Sequence, residues 1–393
     1  MNEWKEYKLG DLTIDGKGSY GIAASSVDYD ANKYTYLRIT DINDDGTINK
    51  NGLKSVDDKN ASNYLLKPND IVFARTGASV GRSYFYDGRD GELVYAGFLI
   101  KYSLDPTKVN PKILKFYTHS QAYYDWIQTV DNGATRGNIN AQMYASMPIF
   151  LPDRDRQDEI VSILSSLDDK IDLLNRENAT LEAMAETLFR QWFIEEAKED
   201  WKGKSLLDCI KLIGGGTPKT SESSYWGGSI CWLSGGDIAN NHKGFVLATE
   251  KSISDEGLNN CSAKLLPENA MVVSARGTVG KYCLLSKPMA FSQSNYGIMP
   301  KYENCFLFTY LLVAYHIDEL QSAAYGSVFD TITTKTFEGV DVILPQNKDI
   351  IVKFEQMVEP YFSKMKNNTL QVQCLQAQRD ILLPKLMSNE ISI

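Results

Sequence analysis

The sequence lacks most of what would mark a metal, redox or membrane protein. Its six cysteines (Cys209, Cys231, Cys261, Cys283, Cys305 and Cys374) all follow the midpoint of the 393 residues. None forms a Cys-x-x-Cys pair or takes zinc-ligand spacing with His119, His242 or His316, so reduced, mostly buried thiols are expected, with no metal site. No apolar run approaches the ~20 residues of a membrane span, and Met1 to Tyr7 carries neither the basic nor the apolar segment of a signal peptide; a cytoplasmic chain is expected. Positive charge is not in surplus. Lys and Arg number 41 against 50 Asp and Glu, a formal −9, which argues against a uniformly basic nucleic-acid binder while leaving uneven patches open.

Catalytic signatures are also scarce. Gly277-Thr-Val-Gly-Lys281 resembles the tail of a phosphate loop, but Ala275 stands where the first glycine belongs and Tyr282 replaces the required Ser or Thr; in the related stretch Thr76 and Arg82 fail in the same way. There is no Gly-x-Gly-x-x-Gly, no His-Glu-x-x-His, and no Asn-Pro-Pro-Tyr or Asp-Pro-Pro-Tyr. Glu196-Ala-Lys198 matches the end of a nuclease triad only superficially and reads as helix-surface charge. No cofactor is expected to bind this chain.

What is present is an internal duplication with a period near 200, the size of a domain. Trp4-Lys5 recurs as Trp201-Lys202, and Leu65-Leu66 with Asn69 recurs as Leu265-Leu266 with Asn269. The glycine-rich stretch Arg75-Thr-Gly-Ala-Ser-Val-Gly-Arg82 recurs as Ala275-Arg-Gly-Thr-Val-Gly-Lys281, and Ile139 through Leu151-Pro152 recurs as Ile332 through Leu344-Pro345. The pattern predicts an α+β chain of two mixed α/β domains, 1–152 and 201–346, each followed by a helix, 153–200 and 347–393. Asp70–Ala74 and Ala270–Ser274 read as strands, and Pro111–Gln128 and Cys305–Gln321 as helices.

Both stretches after Leu-Pro carry a coiled-coil seam with gaps of three and four. In the first it comprises Ile160, Leu164, Leu167, Ile171, Leu174, Asn178, Leu181, Ala185, Leu188 and Trp192. In the second it comprises Ile351, Phe354, Val358, Tyr361, Met365, Asn368, Val372, Leu375, Arg379, Leu382 and Leu386. One asparagine lies on each seam, a residue that fixes register at a cost in stability. Pro360 predicts a kink or a late start in the second helix. If the domain between the helices is compact with neighbouring ends, the helices pair antiparallel and relate the two copies by an approximate twofold axis, a molecule suited to a two-part, oppositely oriented target. A first helix from Asp155 to Glu196 would be ~63 Å long; were the two-part target duplex DNA, at ~34 Å per turn, its halves would lie roughly one to one and a half turns apart.

Charge follows the same partition. Residues 1–152 hold 17 basic and 18 acidic side chains, residues 201–346 hold 12 and 13, and residues 347–393 hold 6 and 5. Residues 153–200 hold 6 basic and 14 acidic. The first helix would be repelled by a phosphate backbone, so any DNA contact falls to the globular copies, and the acidic helix is either a solvated face or a protein-docking surface. The candidate contacts are Arg75, Thr76, Ser79 and Arg82 with Arg136 and Asn138 in the first copy, and Lys219, Thr220, Ser221, Tyr225, Arg276, Thr278 and Lys281 in the second. Arginine and asparagine suit bidentate base contacts, while glycine turns serve equally well to close a sheet.

The residues resemble the specificity subunits of Type I restriction-modification systems over essentially the whole chain. Gly215-Gly-Thr-Pro-Lys219, Tyr225-Trp-Gly-Gly-Ser-Ile-Cys-Trp-Leu233 and Gly236-Asp-Ile238 carry the likeness. So do Ile149-Phe-Leu-Pro152, Gln157-Asp-Glu-Ile-Val161, Leu167-Asp-Asp-Lys-Ile-Asp172 and Leu181-Glu-Ala-Met-Ala185. The first domain departs in lacking the Gly-Gly-Thr-Pro stretch. The resemblance implies a noncatalytic reader of double-stranded DNA, one half-site per domain, whose helices dock two methyltransferase subunits and bring in translocase/nuclease subunits. S-adenosylmethionine, Mg²⁺ and ATP would belong to those partners. The alternative is a stand-alone DNA-modifying or cleaving enzyme, distinguished by whether the purified chain turns over DNA.

Overall fold

A computed structural model describes residues 4–50, 52–131, 138–325, 330–388 and 390. The chain divides into two compact units, residues 1–169 with 376–393, and residues 170–375. Each long helix therefore contributes one stretch to each unit rather than standing as a segment of its own.

Each globular copy is closed by its own ends. In the first unit Lys5–Lys8 pairs antiparallel with Pro148–Leu151, placing Lys5 opposite Leu151. In the second, Lys202–Ser205 pairs with Asp341–Leu344, placing Lys202 opposite Leu344. The outermost landmarks of the duplication, Trp-Lys and Leu-Pro, are thus hydrogen-bonded neighbours in both copies.

The main sheets share one strand order. In the first unit it runs Ser19–Tyr20, Leu99–Ser103, Asp70–Ala74, Ser83–Tyr86; in the second it runs Ile210–Gly214, Asn295–Pro300, Met271–Ser274, Tyr282–Leu285, with Phe245–Val246 added at the edge. The central strands read as unbroken apolar runs because they are buried on both faces; Ile71, Val72 and Phe73, like Val272 and Val273, are fully buried. Asn69 and Asn269 precede these strands with φ of 76° and 64°, a left-handed conformation that asparagine tolerates better than most side chains. Their amides donate to the carbonyls of Tyr86 and Leu285, so each asparagine turns the chain into the sheet. A second sheet completes each copy, of four strands in the first and three in the second.

The stretches expected to be single helices are each two. Pro111–Tyr117 and Gln121–Asp131 are separate, as are Phe306–Tyr315 and Ile317–Tyr325. In the first pair the Thr118 amide folds back onto the Leu114 carbonyl, and the Ser120 hydroxyl accepts from the Tyr123 amide to start the next helix. Apolar spacing carries across this break because both helices pack on the same core.

The first long helix is Arg154–Arg190, continued by a wider turn at Gln191–Glu195; Glu196 follows that turn. The second is Lys348–Met387. The late start expected at Pro360 is absent. Its ring is on an exposed face, where water can satisfy the Gln356 carbonyl that loses its helical partner. Within the second unit the helices run antiparallel, with Phe189 against Phe354 and Asn178 against Asn368. Within the first unit Arg379 pairs with Asp168, again antiparallel.

Most of the expected seam is buried or half-buried. Leu164, Leu174, Val358, Met365 and Asn368 are nearly inaccessible, as are Ile171 and Val372 to a lesser degree; Leu167, Leu181, Leu188, Tyr361, Leu375 and Leu382 are half-buried. Toward the end of the first helix the buried stripe moves over by one residue, to Phe189 and Phe193, and midway along the second Phe362 is buried beside the seam. A 3.6-residue helix drifts against a 3.5-residue repeat, and the end of the first helix packs Phe189 and Phe193 into the core of the second unit. The two seam asparagines meet: Asn368 Nδ2 donates to Asn178 Oδ1 at 2.9 Å and to Glu177 Oε2 at 2.8 Å. Glu355 ties the second helix to its own unit, its carboxylate accepting from the amides of Leu307 and Phe308 at 3.0 and 2.7 Å and so capping the helix that begins at Phe306.

Candidate nucleic-acid interface

The glycine-rich stretches are hairpin turns between antiparallel strands, Asp70–Ala74 to Ser83–Tyr86 and Met271–Ser274 to Tyr282–Leu285. A phosphate loop runs from a strand into a helix, so this topology removes that reading. Gly77, Gly81, Gly277 and Gly280 all have φ between 73° and 84°, as the hairpin demands. Both turns are clamped at the base by the same bonds, Ala74 to Arg82 at 2.8 Å and Ser274 to Lys281 at 2.7 Å, amide to carbonyl. They are also clamped sideways: the Arg75 amide donates to the Phe98 carbonyl and the Ala275 amide to the Ser294 carbonyl. Arg75 is therefore the structural counterpart of Ala275, and Arg276 that of Thr76.

The side chains differ more than the backbones. Arg75 is half-buried, its guanidinium 4.9 Å from the Tyr20 ring centroid and its Nε donating to Asn138 Oδ1 at 3.2 Å. Tyr20 in turn accepts from the Ala141 amide. Thr76 bridges to Asn138 through the backbone. Ser79 is buried inside the turn, and Arg82 is held by Asp44 at 2.6 Å and by the Ile42 carbonyl. Arg136 lies outside the described residues. In the second copy Arg276 and Thr278 are exposed and Lys281 is half-buried; neither Arg276 nor Lys281 makes an ion pair with a described residue. The Thr278 hydroxyl bonds Ser274 Oγ at 3.0 Å.

The Gly214–Trp226 loop is anchored at both ends. A Cβ on Gly215 would lie 2.1 Å from the Ser292 carbonyl oxygen, and one on Gly216 would lie 2.2 Å from the Ala263 amide. These glycines admit close backbone packing. Trp232 Nε1 donates to the Gly216 carbonyl and Trp226 Nε1 to that of Lys219, and the two indoles meet edge to face at 5.2 Å. Lys219, Thr220 and Ser221 stand exposed between these anchors, and Tyr225 is half-buried. The first copy has no Gly-Gly-Thr-Pro, yet Gly21 makes the same approach, its Cβ position 2.2 Å from the Ala96 carbonyl oxygen.

Electrostatics separate the turns further. His242 sits behind Lys281, where burial and the Lys281 charge push its pKa down to about 4; the neutral ring's Nδ1 accepts from the Tyr282 amide. Glu182 of the acidic helix is pushed up to about 7 by burial, against the opposing pull of Lys243, and takes a hydrogen bond from the Tyr310 hydroxyl. Its neighbour Glu186 pairs with Lys243 at 3.0 Å. Part of the acidity of that helix is therefore neutralised inside the second unit.

Sequence reasoning missed Tyr20 and Phe98. Tyr20 lies in a Ser- and Gly-rich loop, Gly16 to Ser26, whose composition suits groove reading and an ordinary surface turn alike, and Phe98 precedes two strand-like apolar residues, Leu99 and Ile100, and reads as core. Aligning the copies gives the signal: Phe98 falls opposite Ser294, and a core position seldom exchanges phenylalanine for serine.

Among the described residues, no group of three or more His, Cys, Asp or Glu side chains is placed to hold a metal ion, and no helix is long and apolar enough to cross a membrane. The class the fold and these turns define is a duplicated reader, two α/β domains each presenting a basic hairpin and each followed in the chain by a long helix. The chain matches the family described as Type I restriction modification DNA specificity domain over residues 1–183 and 198–371, and it belongs to that family. It is 24% identical to the Type I restriction enzyme HindI specificity subunit of Haemophilus influenzae, all of both chains being covered. It is also 24% identical to the EcoR124I/EcoR124II specificity subunit of Escherichia coli over 58% of each. In fold it is similar to the Type I restriction-modification S subunit from M. genitalium, with a TM-score of 0.58, 14% identity and coverage of 98% and 96%. The relatives are specificity subunits, and the alternative of a stand-alone enzyme finds no support among them.

Proposed function

We propose that this chain reads a bipartite duplex DNA site, one half per globular copy, as the noncatalytic specificity subunit of a Type I restriction-modification complex. The observation that carries the reading is the repetition of one hairpin, with the same clamps and the same left-handed glycines, in both copies, each bearing an arginine at its start. A positioned arginine supplies phosphate attraction or bidentate guanine contact. On this reading the first copy reads through Arg75 and Asn138, the second through Arg276, Thr278, Lys281 and the Lys219–Ser221 loop, and Thr76, Ser79, Arg82 and Tyr225 lie at or behind the contact surface. The paired helices dock two methyltransferase subunits, and the restriction subunits join through them.

The test is methylome mapping of a host carrying the chain with its methyltransferase subunits. The expected motif is two short blocks separated by a fixed unread spacer. One uninterrupted block, or DNA turnover by the purified chain alone, overturns the reading.

A further inference from the structure

The tight turn that buttresses the arginine hairpin carries an unusual cargo in the first copy. Ala96-Gly97-Phe98-Leu99 is closed by a 2.8 Å bond from the Leu99 amide to the Ala96 carbonyl, and Phe98 occupies its third position with 59% of its surface exposed. A phenylalanine so exposed gives up most of the stabilisation its burial would bring. The backbone nevertheless fixes it: the Phe98 carbonyl holds the Arg75 amide at 3.1 Å, so its place relative to the Arg75, Tyr20 and Asn138 cluster is set by hydrogen bonds. The second copy builds the same turn from Ser292-Gln293-Ser294-Asn295, closed by a 3.2 Å bond, and presents serine at the equivalent position. Folding does not demand an aromatic ring at this place.

We propose that Phe98 is a base-reading residue of the first copy, its ring packing against a thymine methyl group in the major groove. This rests on the proposed DNA-reading function. The chemistry of the neighbours selects the occupant: arginine and asparagine side chains match the major-groove edges of guanine and adenine, and a phenylalanine beside them matches the one apolar group that groove displays, the thymine 5-methyl.

The experiment uses the chain assembled with its methyltransferase subunits and duplexes of the mapped site in which each thymine is replaced singly by deoxyuridine, which removes only the methyl. For the unaltered chain, one replacement in one half-site is expected to weaken binding about three- to fivefold, the weight of one buried methyl group. With Phe98→Ala that replacement should have no further effect, while replacements in the other half-site behave as before. Phe98→Ser, which installs the second copy's residue, should behave as Phe98→Ala, with thermal melting unchanged for both. If the unaltered chain does not distinguish its site from other DNA, the proposed function fails. If it does, but no thymine couples to Phe98, or the coupled half-site holds no A·T pair, the assignment of Phe98 is overturned.

Discussion

The two copies use one backbone in opposite ways around their arginine hairpins. In the first, Arg75 lies over Tyr20 and is tied to Asn138, Arg82 is bound to Asp44, and an exposed phenylalanine stands on the supporting turn. In the second, Arg276 and Lys281 make no ion pair with a described residue, the supporting turn carries serine, and a donor-rich loop is pinned beside it by two tryptophans. One copy presents a preorganised, partly apolar surface and the other a free, polar and cationic one. The lesson is that the duplicated part is the scaffold of strand order, left-handed residues and clamp bonds, while the side chains on the rim diverge. That division suits a protein that must read two different half-sites with one fold.

The comparison is most severely tested at the glycines where the loops cross the strands. Gly21→Ala and Gly215→Ala each place a methyl group within about 2.2 Å of a backbone carbonyl oxygen, so each is expected to cost about 3 kcal/mol or more, read as a fall in the urea midpoint. A silent Gly21→Ala beside a damaging Gly215→Ala would show that the copies do not share this crossing.

A smaller effect should belong to the second unit alone. Burial raises the Glu182 carboxyl to about 7 in the folded chain, above its ordinary value near 4.5, so the folded state holds a proton that the unfolded state releases. Stability from this group is full below about pH 4.5 and is lost as pH rises to about 7. Glu182→Gln should flatten that fall and raise stability at pH 8 by about 1 kcal/mol, seen in melting curves taken from pH 5 to 8. A steeper fall in the variant would contradict the burial of this carboxylate.

The smallest effect expected is that of Arg276→Ala. An exposed guanidinium on a tight turn more often positions DNA than specifies sequence, so binding should weaken alike for every sequence and the salt slope should shrink by about one. Arg75→Ala, at the tethered arginine, should instead lose discrimination confined to one position of one half-site. Competition binding against single-base variants of both half-sites measures both, and identical profiles for the two variants would erase the contrast between the copies.

Much of this architecture was legible in the sequence. The landmarks of the duplication, Trp4-Lys5 with Leu151-Pro152 and Trp201-Lys202 with Leu344-Pro345, turned out to be the strands that close each copy. Asn69 and Asn269, and the paired glycines, recur because only a few residues tolerate a positive φ. The heptad seam and its two asparagines were written in spacings of three and four. These features depend on backbone sterics and on periodicity, which local sequence encodes directly. The rest depended on which residues meet across long separations in the chain. The breaks at Thr118 and His316 were hidden because apolar spacing continues across them. Pro360 is accommodated because its helix happens to face outward there. Only the folded chain brings Tyr20, Arg75, Phe98 and Asn138 together, ties Arg82 to Asp44, and buries Glu182 against Tyr310. A single linear pattern cannot state whether an arginine is free or spent, because that is fixed by a partner dozens of residues away.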